Sequence, residues 1–175
     1  MTTMWYKIRR FFSGLLLFSS LVLLLSFFLG HFNTSPALAA VYSHREAPGQ
    51  ILYKSRHTLR DNNSNSWQVI VFKQIKPNSA SSTNLRLVGF PGTVEFEHPQ
   101  PLKITAKSRD FLAEDIFAEK APGANVGQYN VAAVLPQLPL GQTVKLEIPV
   151  KNSFPLSLAV PSEVVLEWKE IAGKG

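Results

Sequence analysis

Apolar and polar residues alternate along much of the chain from residue 51 onward. In 51–60 the odd positions include Ile51 and Tyr53, while most even positions are charged or polar. A period of two is typical of a half-buried strand. Residues 67–75 are apolar on both faces, which indicates a strand in the middle of the structure. The polar segment 61–66 between these two strands predicts a hairpin.

The same alternation recurs through the rest of the chain, interrupted by proline and glycine. Leu102, Ile104 and Ala106, for example, are separated by polar or basic residues, and Pro91-Gly92 forms a turn signal between two apolar segments. On this basis six further strands are predicted, at 85–90, 94–98, 102–107, 129–135, 144–150 and 156–160.

Two segments have helical rather than strand spacing. Asp110 is a candidate N-cap for a short mid-chain helix whose apolar face would carry Leu112, Ala113, Ile116 and Phe117. Pro161-Ser162 opens an amphipathic C-terminal helix whose apolar stripe would carry Val164, Val165, Trp168 and Ile171. The predicted fold is therefore mainly β, an antiparallel sandwich or small open barrel of about eight strands with these two helices.

The first forty residues follow a different pattern. A basic segment with Lys7, Arg9 and Arg10 precedes an unbroken apolar run from Phe11 to Leu29. Ala37 and Ala39 then stand at the positions that precede cleavage of a secretory signal, and Ala40 would begin the mature chain. Because 19 residues at about 1.5 Å each nearly span a bilayer core, the run could also stay as an anchor.

Either interpretation places the rest of the chain outside the cytoplasm. Residues 1–39 are then a signal peptide or N-terminal membrane anchor, and 40–175 are a single β-rich extracytoplasmic domain. A retained anchor would run through Phe11–Leu29 with its basic end in the cytoplasm.

Composition removes several classes of function. The chain has no cysteine, which excludes disulfides, thiolate catalysis and cysteine-ligated metal sites. The net charge of +6 falls to +3 without Lys7, Arg9 and Arg10, with 15 basic residues against 12 acidic ones. Since these charges are scattered and form no basic block, no nucleic-acid partner is expected.

Catalytic motifs are missing as well. The sequence contains neither a nucleophile elbow nor Ser-x-x-Lys, and its glycines form no phosphate-binding loop. No catalytic residue and no cofactor are therefore predicted. One alternative is a small metal-binding or hydrolytic protein that uses His44, His57, His98 and Glu97, since imidazoles and a carboxylate can hold zinc or copper. Half-buried, hydrogen-bonded histidines on the apolar faces of their strands are the other explanation of His57 and His98.

The segment 135–141 is a candidate partner-binding loop. Its two prolines favour an extended conformation that displays neighbouring side chains, and the proposed contact residues are Gln137, Leu138 and Leu140. The alternative is an ordinary loop whose leucines pack under the sheet.

Six ordered segments carry a resemblance to a known family. They are "EAPGQILYKSRHTLRD" (46–61), "WQVIVFK" (67–73), "LRLVGFPG" (85–92), "HPQPLKI" (98–104), "VGQYNVAAVL" (126–135) and "VPSEVVLEW" (160–168). Together they resemble a family of small exported cyanobacterial proteins catalogued as a domain of unknown function. The resemblance implies a cyanobacterial source and residence in the periplasm or the thylakoid lumen, and it brings no established activity, ligand or catalytic residue.

These observations together predict a non-enzymatic extracytoplasmic binding or accessory protein that faces the periplasm or thylakoid lumen. Its expected partner is a protein complex or a membrane surface. Besides the metal-binding or hydrolytic alternative, a barrel that holds a lipid or pigment in its apolar interior stays open.

Overall fold

The computed structural model describes residues 18–20, 42–47, 49–77 and 79–175. The chain divides into two compact units, Met1–Leu38 and Ala39–Gly175. Of the first unit, the structure describes only residues 18–20, which are helical. Nearly all of the apolar run Phe11–Leu29, and the predicted cleavage residues Ala37, Ala39 and Ala40, lie outside the described residues. Among the residues that are described, no helix combines the length and the apolar character needed to cross a bilayer.

The second unit is built on one antiparallel sheet. Nine strands are described in it: β1 (Tyr42–Ala47), β2 (Gln50–Arg60), β3 (Ser66–Ile75), β4 (Ser82–Val88), β5 (Leu102–Ala106), β6 (Arg109–Asp115), β7 (Val126–Asn130), β8 (Val144–Ile148) and β9 (Leu156–Val160). Their order across the sheet is β1-β2-β3-β4-β7-β6-β5-β8-β9. The mainly β, antiparallel fold class is confirmed.

The core lies on one face of this sheet. Residues of β3 and β4 that alternate along each strand, such as Trp67, Val69 and Leu85, are completely buried. The sheet curves so that β9 contacts β2, which brings its two ends close together around the core. A helix, α1 (Ser162–Gly173), follows β9 and packs against β2 and β3. It buries the predicted apolar stripe Val164, Val165, Trp168 and Ile171.

The predicted hairpin of the first two strands is present as β2 and β3. Its turn is organised by Asp61, whose Oδ1 accepts hydrogen bonds from the backbone N–H groups of Asn63 and Asn65 at 2.8 and 2.9 Å. Asp61 Oδ2 accepts hydrogen bonds from Asn65 Nδ2 and from the indole N–H of Trp67, the latter at 3.0 Å. One carboxylate therefore ties the turn to a buried aromatic residue at the start of β3.

The predicted position of the mid-chain helix is wrong. Residues 109–115 form β6, in which Ala113 and Asp115 face inward while Leu112 and Glu114 are exposed. This segment satisfies both a helical and a strand pattern, and pairing with β5 and β7 on its two sides decides for the strand. A short mid-chain helix does occur, but it is a single 3-10 turn at Leu135–Gln137.

Two other strand predictions also need correction. The segment 94–98 forms no strand, because only Phe96 pairs with another residue, Val150, in an isolated bridge. The prolines at 99 and 101 follow directly, and a proline cannot donate a backbone hydrogen bond to a neighbouring strand. The edge strand β1, by contrast, is present in the structure but missing from the predicted strands, because its sequence YSHREA lacks a clear apolar alternation.

Candidate binding face

Strand alternation turns a set of basic residues away from the core. Ser55 and His57 of β2 face inward, so Lys54, Arg56 and Arg60 lie on the outer side of the sheet. Arg86 lies on the same side of β4, because its neighbours Leu85 and Leu87 are completely buried. The outer side of β2, β3, β4 and β7, with Lys54, Arg56, Arg60 and Arg86, is called the cationic face below.

The strand register aligns these residues in rows across the face. One row runs through Arg56, Ile70, Arg86 and Gln128, which are paired neighbours on β2, β3, β4 and β7. A second row runs through Lys54, Phe72, Asn84 and Asn130. Neighbouring strands lie about 4.8 Å apart, so Arg56 and Arg86 are separated by about 10 Å, with one apolar residue between them.

Arg86 is the most constrained cation of this face. Its Nε and Nη2 atoms both donate hydrogen bonds to Oε1 of Gln128, at 2.9 and 2.6 Å. The guanidinium carbon lies 5.6 Å from the ring centroid of Phe72 and 5.9 Å from that of Phe117. Two cation–π contacts and a shared acceptor therefore hold the planar group in one orientation.

This orientation leaves one edge of the guanidinium without a hydrogen-bond partner among the described residues. The two hydrogen bonds to Gln128 use the side edge, formed by Nε and Nη2. The end edge, formed by Nη1 and the second N–H of Nη2, keeps three of the five N–H donors of an arginine. No acceptor among the described residues takes these three donors. Two parallel N–H groups in this fork match the two oxygens of a carboxylate.

The cations of the face lack the carboxylate partners that four lysines elsewhere on the domain have. Lys103 pairs with Asp110 and Glu147, Lys145 with Glu147, Lys151 with Glu95, and Lys174 with Glu170, whereas Lys76, Lys107 and Lys120 form no ion pair within the described chain. The hydrogen bond that Lys103 donates to Asp110, followed by the one that it donates to Glu147, raises the pKa of Lys103 above its ordinary value. Within the described part of the chain, no carboxylate forms an ion pair with any of the four cations of the cationic face. Glu114, at the β6 side, is the acidic residue that lies nearest in register.

A surface cavity of about 290 Å³ adjoins the cationic face. Thr58, Gln68 and Val88 form its wall on the sheet side, and they are the next row along the strands after Arg56, Ile70 and Arg86. Phe90 and Pro91 form much of the other side, together with Trp67, Ser66, Gly89 and Asn125. The Phe90 side chain is 67% exposed, so this cavity, called the Phe90 cavity below, presents apolar surface to the solvent.

His57 lies away from this face and connects the sheet to α1. Its Nε2 is 2.8 Å from Oε2 of Glu167, which also accepts a hydrogen bond from the buried Ser55 hydroxyl at 2.8 Å. Lys73, on the same inner side, donates to the carbonyl oxygens of Ala172 and Lys174 at the end of the helix. His57 thus occupies the hydrogen-bonded, half-buried position that is common for a strand histidine.

His98 forms a pair with Asp115. The distance between its Nδ1 and Oδ2 of Asp115 is 2.5 Å, and its ring stacks on Phe96. The phenol of Tyr129, on the strand residue opposite Asp115, is fully buried. Burial, and secondly the charge of Asp115, raises the pKa of Tyr129 above its ordinary value, so this phenol stays neutral.

A carboxylate beside a histidine is an arrangement found in general bases, which also need a proton to abstract within about 3.2 Å of the other ring nitrogen. Nε2 of His98 is buried, and no described side chain forms a hydrogen bond with it. The pair therefore lies in the packed layer around Phe96, and among the described residues no hydroxyl group forms a hydrogen bond with Nε2 of His98.

The structure does not bring the four residues of the metal-binding alternative together. His57 and His98 have different carboxylate partners, Glu167 and Asp115. His44 is exposed on β1, and Glu97 is exposed beside the bridge residue Phe96. No cluster of three or more histidine, aspartate or glutamate side chains suited to a metal ion occurs in the described ranges.

The segment 135–141 divides its side chains between core and surface. Leu138 is 1% exposed and belongs to the core, whereas Leu140 is 64% exposed. Gln137 is exposed and donates through Nε2 to the carbonyl oxygen of Ala133 at 2.7 Å. Lys169 of α1 donates to the carbonyl oxygens of Pro136 and Leu138, which fixes the loop on the helix. Leu138 is therefore unavailable to a partner in this fold, and Gln137 and Leu140 are the two proposed residues that stay accessible.

Part of the cationic face, the basic residues of β2, can be recognised from the sequence alone. The even positions of β2 carry Lys54, Arg56 and Arg60, so a basic strand face can be seen in the alternation itself. Arg86 and its contacts could not be found in the same way, because Phe72, Gln128 and Phe117 come from three other segments whose register is set by the fold.

The comparisons with known proteins identify a family and no activity. No curated protein and no solved structure matches the chain. The family model described as "Protein of unknown function (DUF3122)" matches residues 39–171, which include all nine described strands and most of α1. The chain therefore belongs to the DUF3122 family of proteins of unknown function.

Proposed function

We propose that this protein is a non-enzymatic extracytoplasmic binding or accessory protein that docks on a partner protein through the cationic face. The observation that carries the proposal is the cluster Lys54, Arg56, Arg60 and Arg86 on one side of the sheet, with which no carboxylate of the described chain forms an ion pair. A surface of one charge attracts and orients a partner of the opposite charge. The extracytoplasmic location rests on the sequence of residues 1–39, and the periplasm and the thylakoid lumen are the proposed compartments.

The interior of the domain supports a role at the surface. Large side chains fill the space enclosed by the sheet and α1, including Trp67, Phe96, Tyr129 and Trp168. A lipid or pigment carrier needs this space for its ligand. The filled interior therefore favours an accessory protein over such a carrier.

The proposal is tested by affinity purification of a tagged chain from fractionated host membranes and soluble extracts. The test variant reverses two exposed charges, Arg56→Glu and Arg60→Glu, which lie on the cationic face. The matched control reverses Lys145 and Lys151, two exposed lysines outside this face. We expect a protein that co-purifies with the wild type and with the control but not with the test variant. Equal recovery with all three chains would overturn the proposed surface.

The same preparation tests the proposed location. The intact mass of the purified chain shows whether residues 1–39 have been removed, and a reporter fused to the C-terminus shows on which side of the membrane the domain lies. We expect an extracytoplasmic reporter in either case. A cytoplasmic reporter would contradict the location but would leave the binding measurement standing.

A further inference from the structure

We infer that the cationic face recognises an acidic protein segment, in which a carboxylate binds the open end edge of Arg86 and a nearby apolar side chain enters the Phe90 cavity. This inference rests on the proposed function and adds the chemistry of the partner. Three separate features lie on the same outer surface. They are the carboxylate receptor (Arg86, held by Gln128, Phe72 and Phe117), the flanking cations Arg56 and Lys54, and the Phe90 cavity.

The carboxylate receptor is preorganised. Gln128 holds the side edge of the Arg86 guanidinium, and the rings of Phe72 and Phe117 lie within 6 Å of its central carbon. Gln128 is 7% exposed, so the group that orients the arginine is itself fixed in the sheet. Little side-chain entropy is lost when a ligand binds a group that is already held in place.

The flanking cations extend the acidic preference beyond one carboxylate. Arg56 lies in the same row as Arg86, and Lys54 lies in the next row, beside Phe72. Within the described chain no carboxylate pairs with either of them, so a partner's carboxylates meet no competing internal ion pair. Exposed charges of this kind contribute mainly to the rate of association and to the choice of partner.

The Phe90 cavity supplies an apolar contact at a defined distance. Val88 in its wall is two residues from Arg86 on β4, which corresponds to about 7 Å along the strand. In an extended segment, a residue two positions from a carboxylate lies at the same distance. A segment with an acidic residue and an apolar residue on the same side therefore fits both features at once.

A protein segment fits better than an anionic membrane surface. Arg86 is half buried and its guanidinium lies within 6 Å of two ring centroids, so a side chain that projects into the face reaches it more easily than a flat layer of headgroups. Membrane-binding surfaces also project apolar side chains beyond their cations. At the centre of this face Ile70 and Phe72 are half buried in the sheet.

The test uses the purified full-length chain and defined probes. A fluorescein-labelled peptide of repeated Glu-Ser-Leu-Ser, called the Glu–Leu peptide, places Glu and Leu two positions apart on the same side of an extended chain. It is titrated and followed by fluorescence anisotropy. The comparison probes are the same peptide with Gln in place of Glu, one with Ser in place of Leu, and vesicles of phosphatidylcholine and phosphatidylglycerol. We expect the Glu–Leu peptide to bind most tightly and its affinity to fall with added salt.

Variants of the face assign the contacts. Arg86→Lys keeps a charge but loses the fork, and we expect it to weaken binding of the Glu–Leu peptide about tenfold, the equivalent of one hydrogen bond to a charged group. Arg56→Ala is an exposed change that keeps the Arg86 contacts, and it should weaken binding by a smaller factor. Phe90→Ala should weaken the Glu–Leu peptide but not the Glu–Ser peptide. Lys145→Ala is the control and should change nothing. Circular dichroism confirms that each variant is folded.

Several results would overturn the inference. Equal affinity of the wild type and Arg86→Lys would show that the fork does not bind a carboxylate, even if the charge reversals at Arg56 and Arg60 abolish co-purification and the proposed function stands. Binding of the anionic vesicles that depends on Arg86, without binding of the Glu–Leu peptide, would assign the face to a membrane. Equal affinity for the Glu and Gln peptides would remove the acidic preference.

Discussion

Asp61 offers the most direct test of how the sequence stabilises this sheet. In the variant Asp61→Ala the turn between β2 and β3 loses all four side-chain hydrogen bonds of the carboxylate. The two backbone N–H groups lie in a turn that water reaches. The indole N–H of Trp67 is different, because Trp67 is 0% exposed and its donor would be left buried without an acceptor.

An unpaired buried donor costs about 1–3 kcal/mol, and loss of the charge-assisted bonds in the turn adds to this. We therefore expect Asp61→Ala to lower the free energy of unfolding by about 2–4 kcal/mol. For a domain of this size, each kcal/mol corresponds to a Tm change of about 2–4 °C, so the Tm should fall by about 5–15 °C.

The assay is equilibrium unfolding in urea followed by tryptophan fluorescence. Asn62→Ala is the matched control, because Asn62 is exposed in the same turn and should change stability by less than about 0.5 kcal/mol. A double-mutant cycle with Trp67→Phe isolates the indole contact, and the cost of Asp61→Ala should be smaller in that background. Equal costs in both backgrounds, or an effect no larger than that of Asn62→Ala, would refute the argument.

The same carboxylate gives a pH dependence with a defined sign. Burial raises the pKa of Asp61, but the hydrogen bonds from Trp67, Asn65 and Asn63 outweigh it, and the pKa is lowered from the ordinary value of 3.8. The ionised form thus stabilises the fold above pH 3.8, and this stabilisation is lost as the pH falls through the lowered pKa. Asp61→Asn cannot titrate, so its stability should fall less than that of the wild type on acidification. Parallel urea midpoints between neutral and acidic pH would contradict this.

Two packing predictions follow from the core. A Cβ at Gly127 would lie 2.4 Å from the ring of Phe96, so Gly127→Ala should lower the free energy of unfolding by about 1–3 kcal/mol. The control Gly173→Ala places its Cβ in open space and should leave the stability nearly unchanged. Urea unfolding measures both variants. Leu138→Ala should lower the free energy of unfolding by about 2–5 kcal/mol because Leu138 is buried. Leu140→Ala removes an exposed side chain and should lower it by less than about 0.5 kcal/mol. Similar Tm values for these two variants would contradict the assignment of Leu138 to the core.

Most of the sheet could be predicted because its strands alternate at a period of two. In β5 and β8 one set of alternate residues enters the core, so the apolar positions in the sequence mark both the strand and its inner face. The pattern fails where local spacing is ambiguous. Residues 109–115 fit a helix and a strand equally, and only the neighbouring strands β5 and β7 decide between them.

The candidate site was harder to predict, since it depends on register. The basic residues of β2 are visible in its alternation, but the position of Arg86 opposite Ile70 follows from pairing between distant segments. The loop 135–141 shows the converse difficulty. Its three leucines look alike in the sequence, yet Leu135 and Leu138 are buried in the core and Leu140 is exposed.

Site-specific photo-crosslinking in the native host tests the cationic face most directly. A photoreactive residue is placed at Gln68, which is exposed on this face, or at Ala159, which is exposed on β9. Position 68 should crosslink to the protein that co-purifies with the tagged chain, and high salt should suppress the crosslink, while position 159 should give none. Crosslinking of that protein from position 159 and not from position 68 would contradict docking through the cationic face.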